Sequence, residues 1–295
     1  MDINKILVNQ FSKAVGKQII QKIHTAEKEL QPFIIPIYCE CNKDFLTLLG
    51  SGILLKIQTD YILITAAHVI DDSEKGNLAI PFENTLNGLD GFYCSPIPVG
   101  KTRDDDMYDF AFAFLNSRTV DGLLRNYKFL DYSNLLLDDI DTGVKIYSFI
   151  GFPGSKNKTF FRIKPSPYSY FNSALNESNM IKYNINSNIN IAVSYNSKST
   201  YSSNNQKQQA PKPKGFSGGG IFTWEIKDKY RIGNYNVTPF LAAVFIATSN
   251  HNKIWIGTKI QAVLQGIRNS SSKLKKIIPD YSIHNLDLIL KQKMP

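Results

Sequence analysis

Gly215-Phe216-Ser217-Gly218-Gly219-Gly220 runs straight into Ile221-Phe222-Thr223-Trp224, so one serine stands between glycines at the mouth of an apolar, strand-like segment. The physical reading is a nucleophile on a tight turn. Glycine permits positive φ and lets another backbone approach closely. Peptide N–H groups around such a turn can converge on one small space and stabilise an oxyanion there. The plain alternative is a Gly-rich hairpin whose serine does nothing, and the hexapeptide alone does not separate the two.

A serine hydroxyl is a poor nucleophile until an oriented base takes its proton. The chain has four His. His68 closes the run Tyr61-Ile62-Leu63-Ile64-Thr65-Ala66-Ala67-His68, where a β-branched segment leads through small residues to an imidazole. That pattern suits a buried strand ending at a site. Asp109 opens a second apolar run, Phe110-Ala111-Phe112-Ala113-Phe114-Leu115. A carboxylate at the head of such a strand can be buried, as an orienting group should be. The acidic run Asp104-Asp105-Asp106 just before it is expected to sit in solvent.

Thr65-Ala66-Ala67-His68, Asp109-Phe110-Ala111 and Gly215-Phe216-Ser217-Gly218-Gly219 together resemble the three signature segments of chymotrypsin-like (trypsin-like) serine proteases, in that family's order. Ser51-Gly52-Ile53-Leu54-Leu55, Phe149-Ile150-Gly151-Phe152-Pro153-Gly154 and Leu241-Ala242-Ala243-Val244-Phe245-Ile246 are similar to flanking strands of the family, and the resemblance covers residues 33 to 265. It implies an all-β fold of two six-stranded antiparallel β-barrels packed together, with an added N-terminal helix and a C-terminal helix or tail. It implies that His68, Asp109 and Ser217 are a catalytic triad, that backbone N–H groups of Gly215 and Ser217 form the oxyanion hole, and that Ile246, Ala247 and Thr248 line the substrate. No cofactor and no metal are implied.

One position departs from that pattern. Many secreted members carry an Asp just before the nucleophile, which pairs with a new N-terminal ammonium after activation by cleavage. Phe216 cannot make this pair. Activation by trimming of that kind is therefore not expected here.

The 295 residues carry a net charge of +9 and are 43% hydrophobic, enough to build a full core and enough positive charge to raise the question of nucleic acid. The basic residues are spread along the chain, with Lys273-Leu274-Lys275-Lys276 the densest cluster, so a solvated basic face is expected rather than a nucleic-acid partner. No run of 18 apolar residues occurs, so no membrane-spanning helix is expected. The first ten residues lack the apolar stretch of a secretory signal. Three Cys (Cys39, Cys41 and Cys94) argue against a disulfide framework and for a reducing compartment, so the cytoplasm is expected. Cys39-x-Cys41 finds no second pair at zinc spacing.

Apolar residues at three- and four-residue steps from Ile6 to Ile23 predict a helix over residues 1–32, ended near Pro32. Short β-branched strands follow: Ile34–Tyr38, Phe45–Leu49, Ile53–Ile57 and Tyr61–Ile64. Residues 33–130 are read as the first barrel and 131–268 as the second, with strands at Gly143–Ile150, Phe160–Ile163, Met180–Ile185, Ile189–Val193, Phe240–Ala247 and Lys253–Ile260. Ser194–Lys214 is almost free of apolar residues and is expected to be a mobile loop. A helix closes the barrel at Ile260–Arg268, and residues 269–295 form a basic tail with a short helix at Leu286–Leu290.

Two functional classes follow. The first is a serine endopeptidase acting on a protein or peptide substrate, intracellular and controlled by loop ordering or a regulatory protein partner. The second is a catalytically silent protease-like scaffold that binds peptides. No acidic residue lies close to Pro211, near the expected base of the specificity pocket, so a preference for Lys or Arg is not expected.

Overall fold

The structure, a computed structural model, describes residues 3–42, 45–82, 85–138, 146–154, 166–170, 175, 177–194, 200–201, 207–208, 214–227, 236–249, 253–283, 286 and 288–291. It is mostly β, built on two antiparallel sheets. The first half supplies β1 (Ile34–Asn42), β2 (Phe45–Ile57), β3 (Asp60–Ala66), β4 (Asn77–Phe82), β5 (Thr85–Gly88), β6 (Phe92–Cys94), β7 (Phe110–Phe114) and β8 (Leu130–Asp131). The second supplies β9 (Tyr147–Gly151), β10 (Ser166–Tyr170), β11 (Asn190–Ser194), the short pair β12 (Thr200–Tyr201) and β13 (Lys207–Gln208), then β14 (Gly220–Lys227), β15 (Asn236–Ser249), β16 (Ile254–Lys259) and β17 (Ile289–Lys291).

The larger sheet has nine strands in the order β17-β6-β7-β3-β2-β1-β4-β5, with β8 joining β2, and the smaller has six in the order β10-β9-β14-β15-β16-β11. Two antiparallel sheets meet the coarse expectation. The described pairings run as open ladders of unequal size; closure into two six-stranded barrels stays an expectation.

Strand alternation explains the layering. In β7, Phe110 and Phe112 enter one core cluster while Ala111 and Ala113 face another. In β3, Ile62 and Ile64 join the phenylalanines, and Leu63 between them joins the alanines. A period of two thus covers both faces of the sheet. The phenylalanine side is shared: Ile150, Phe222, Trp224, Leu241 and Val244 of the smaller sheet pack there. So do Ile23 of α1 (Ile3–Leu30) and Val263, Leu264 and Ile267 of α5 (Ile260–Ser270), the closing helix expected at Ile260–Arg268. Each such side chain contributes roughly 1.5–3 kcal/mol when fully buried, which joins the two sheets through one interior.

α1 is also tied to the smaller sheet by buried polar groups. The Glu27 carboxyl is 2% exposed. It takes a hydrogen bond from Ser148 Oγ at 2.5 Å and contacts His24 Nδ1 at 3.0 Å, and Trp224 Nε1 donates to Ser148 Oγ at 2.7 Å.

Several expectations are corrected. Phe45–Leu49 and Ile53–Ile57 are one strand, continuous through Gly50-Ser51-Gly52 and accommodated by a register shift opposite Ile37 and Tyr38. The strand expected at Met180–Ile185 is instead the end of helix α4 (Glu177–Lys182) and its exit turn, after α2 (Ala67–Asp71) and α3 (Ser117–Leu123). Met180 is buried, Ile181 is exposed, and the Met180 carbonyl accepts from the N–H groups of Tyr183 and Ile185, so the segment meets its backbone needs locally. The tail residues Ile289–Lys291 are a strand rather than a helix, with Ile289 opposite Cys94 and Leu290 opposite Tyr93. Pairing with the edge of β6 satisfies backbone groups that a one-turn helix would leave marginal. Cys39 is disulfide-bonded, while Cys94 is a buried free thiol. The strand expected at Phe160–Ile163, Pro211, and residues 195–199, 202–206 and 209–213 of the polar loop lie outside the described residues. Among the described residues, no helix is long and apolar enough to cross a membrane.

Candidate active site

β3 pairs antiparallel with β7, with Ala66 opposite Phe110. The end of one strand therefore lies beside the start of the other. β3 turns at once into α2, which carries His68 in its first turn. Asp109, just before β7, takes φ of +38° and sends its carbonyl to the N–H of Ala67 at 3.1 Å. Its carboxylate then grips His68 twice. Oδ1 accepts from the His68 backbone N–H at 2.9 Å, and Oδ2 lies 2.6 Å from Nδ1. The smaller sheet holds the approach to Asp109 from the other side. The Thr258 hydroxyl donates to the Tyr108 carbonyl, and Asn190 Nδ2 donates to the Met107 carbonyl at 2.9 Å.

The electrostatics follow from this packing. Asp109 is 7% exposed, and burial pushes its carboxyl up from the usual range against the pull of His68. Burial works to lower the pKa of His68. The hydrogen bond and charge of Asp109, with Asp71 and Asp72 behind it, outweigh that and hold the imidazole above its ordinary value. With Nδ1 engaged by the carboxylate, Nε2 is the nitrogen left for a reacting group.

Ser217 reaches this corner through its backbone. The carbonyl of Ser217 accepts from the Ser51 N–H at 2.7 Å. Gly218 has φ of +83°, and a Cβ there would fall 2.1 Å from the Ser51 carbonyl and 2.1 Å from Thr65 Oγ1. So the serine turn lies directly against the strand that delivers His68. The N–H of Gly218 and the carbonyl of Gly219 both bond to the backbone of Phe245 at 2.8 Å, locking the turn to β15.

A trans peptide points its C=O and N–H in opposite directions. The Lys214 carbonyl accepts from Gly154 N–H at 2.7 Å, so the N–H of Gly215 faces away from Gly154. The Phe216 carbonyl accepts from Gly219 N–H at 2.8 Å, which turns the N–H of Ser217 away from Gly219. Phe216 itself is wholly buried. Its ring lies 5.7 Å from that of Trp255 and 6.2 Å from that of Phe245. An apolar anchor thus occupies the position where many members of the resembled family keep a charge.

Ile246 and Ala247 line a cleft of about 530 Å³ together with His68 and Asp109. Tyr183 and Ile185 also line it. Thr248 pairs with Trp255 one residue beyond it. The acidic run divides, contrary to the expectation that it is solvated throughout. Asp104 and Asp105 are exposed, but Asp106 is 5% exposed and takes bonds from Arg103 and Ser95 at 2.6 Å. Arg103 also pairs with Asp71 at 2.7 Å, and Lys291 of β17 joins Asp71. Sequence reasoning missed Ser51, Thr258 and this charged group, because Ser51 meets Gly215, Thr258 meets Tyr108 and Asp71 meets Arg103 and Lys291 only across 32 to 220 residues of chain. The one available signal was Gly50-Ser51-Gly52, which places a polar residue between glycines inside an apolar strand. Among the described residues, no group of three or more His, Cys, Asp or Glu is arranged to hold a metal ion.

No family model matches the chain, and no curated protein matches it in sequence. Solved structures do. A Glu endopeptidase structure in complex with MPD is 15% identical, with a TM-score of 0.46 over 81% of this chain and 90% of that one. A structure on the Sesbania mosaic virus VPg protein is 14% identical, with a TM-score of 0.43 over 78% and 93%. An inactive form of Rv3671c from M. tuberculosis is 12% identical, with a TM-score of 0.42 over 85% and 91%. At such low identities and scores, the functional case rests on this chain's own residues.

Proposed function

We propose that the chain is a serine endopeptidase of the chymotrypsin-like kind. The observation that supports this most is the double grip of Asp109 on His68, through the backbone N–H at 2.9 Å and Nδ1 at 2.6 Å, beside a serine turn packed on the same strand end. In this reading Ser217 attacks a peptide carbonyl. His68 takes the hydroxyl proton at Nε2 and hands it to the departing amine. Asp109 fixes the tautomer and stabilises the imidazolium. The N–H groups of Gly215 and Ser217 receive the oxyanion, and Ile246, Ala247 and Thr248 lie along the peptide on its acyl side. Water then hydrolyses the acyl-enzyme by the same proton path. The cytoplasmic setting rests on sequence composition, and the disulfide at Cys39 counts against it.

The test is labelling of the purified protein by a fluorophosphonate probe, beside Ser217→Ala. Labelling of the wild type that vanishes in the variant is the expected result. Labelling that persists in Ser217→Ala, or a well-folded wild type that never labels, would overturn the assignment.

A further inference from the structure

Ser51 is wholly buried in the middle of β2, on the sheet opposite the one that continues from the serine turn. All its polar atoms point to the candidate site. Its hydroxyl donates to the Gly215 carbonyl at 2.8 Å and accepts from the Phe152 N–H at 2.8 Å. Its N–H donates to the Ser217 carbonyl at 2.7 Å, and its carbonyl accepts from Thr65 Oγ1 at 2.7 Å. One residue therefore touches both ends of the segment Gly215-Phe216-Ser217, the strand behind His68 and the chain leaving β9.

The hydroxyl matters because of what it fixes. The Lys214 carbonyl is held by Gly154, and the Phe216 carbonyl by Gly219. The carbonyl between them, that of Gly215, is held by Ser51 Oγ alone among the described hydrogen bonds. Gly215 has φ of +92°, and without a Cβ little else resists rotation of the peptide that follows it. If the Gly215 carbonyl were released, the peptide between Gly215 and Phe216 could turn, and the link between the two peptides that carry the Gly215 and Ser217 N–H groups would lose its anchor to the first sheet. Space for adjustment is small on the far side: a Cβ on Gly151 would lie 3.0 Å from Ser51 Oγ and 2.9 Å from the Phe216 ring. The serine hydroxyl is thus seated between Phe152 and Gly215 with its single proton and an acceptor site both used.

We propose that Ser51 is a positioning residue that holds the oxyanion turn assembled in the free protein, bracing Gly215 from the first sheet as the buried ring of Phe216 does from the second. This rests on the serine-protease reading above and adds to it how the site is kept ready. No released N-terminus is needed, because a hydroxyl and an aromatic ring supply the restraint.

Oxyanion contacts form fully only in the transition state, so loosening them lowers turnover without weakening binding. Losing one such donor typically costs on the order of 10²–10³ in kcat. The experiment compares wild type, Ser51→Ala, Ser51→Cys and Ser148→Ala with a fluorophosphonate probe, measuring the maximal labelling rate and the half-saturating probe concentration separately. Ser148 is an equally buried serine bonded to Trp224 and Glu27, so it controls for lost stability. Ser51→Ala should lower the maximal rate roughly 10²-fold with half-saturation unchanged. Ser51→Cys, which keeps a weak donor and the side-chain shape, covers the case in which the alanine variant does not fold, and should fall between the two. Ser148→Ala should melt earlier yet label at the wild-type rate. Amide hydrogen exchange at Phe152 and Gly154 is read in parallel and should speed up in the Ser51 variants whether or not any chemistry occurs. A reactive wild type whose folded Ser51 variants label at its own rate overturns the inference. An unreactive wild type with the exchange response intact overturns the protease reading and leaves the bracing of the turn standing.

Discussion

Replacing Glu27 by Ala measures how firmly the N-terminal helix is built into the fold. The Glu27 carboxyl is 2% exposed and accepts the Ser148 hydroxyl proton, while that same hydroxyl oxygen accepts from Trp224 Nε1. Without the carboxyl, the Ser148 proton loses its acceptor inside the protein, a cost of about 1–3 kcal/mol. The one side-chain methylene removed from the interior adds about 0.8 kcal/mol. The expected loss is thus about 2–4 kcal/mol, or roughly 4–16 °C in Tm for a chain of this size. Glu27→Gln keeps the methylenes and one acceptor oxygen and should lose about 1 kcal/mol. In a cycle with Ser148→Ala, the coupling should fall at about 0.5–3 kcal/mol, since the two groups share one hydrogen bond. Urea unfolding followed by circular dichroism gives each value. If Glu27→Ala stays within about 0.5 kcal/mol of wild type, like an ordinary surface substitution, the helix is only leaning on the sheet and the buried network does not hold it.

His68 is held above the ordinary histidine value near 6.5, and catalysis needs its neutral form, so the acid limb of kcat/KM should have its midpoint above about 6.5. Asp71→Asn removes one of the charges that raise it and should move the limb toward lower pH; a midpoint at or below 6.5 in the wild type would contradict the electrostatic picture. Asp109→Asn should leave Tm within a few degrees while lowering kcat by about 10⁴, through loss of the imidazole tautomer; full turnover in that variant would remove Asp109 from the site. Gly218→Ala would place a methyl 2.1 Å from the Ser51 carbonyl in a backbone with φ of +83°. It should either fail to fold or fold without reacting with the probe, and an active, stable variant would mean the turn is not packed on Thr65 and Ser51.

The parts of this site legible in the sequence are those that chemistry concentrates locally. His68 at a strand end, Asp109 at a strand start and Ser217 between glycines each stand out from their neighbours. The restraints on them do not. Ser51 reads as a polar interruption of an apolar strand until the fold places Gly215 beside it, 164 residues away. Asp106 looks like one of three solvated acids, because nothing in Asp104-Asp105-Asp106 tells which will meet Arg103 and Ser95. Phe216 announced that a charge pair was impossible, but the ring cluster with Phe245 and Trp255 that replaces it depends on the pairing of β14, β15 and β16. Met180–Ile185 misled for the opposite reason: its β-branched composition suits a strand, and a local pattern of backbone bonds overrode it.

β17 gives the fold an order in time. Lys291 reaches Asp71 across 220 residues of chain, and at about 5–20 residues per second a ribosome needs roughly 10–45 s to make them. For that interval β6 has no neighbour on its outer side, and the carboxylate three residues beyond His68 lacks its lysine partner. An unpaired strand edge of this kind is a template for stray pairing. The nascent first half therefore spends its most vulnerable period with the imidazole's surroundings unfinished, and the strand that covers the edge of β6 is the last among the described residues.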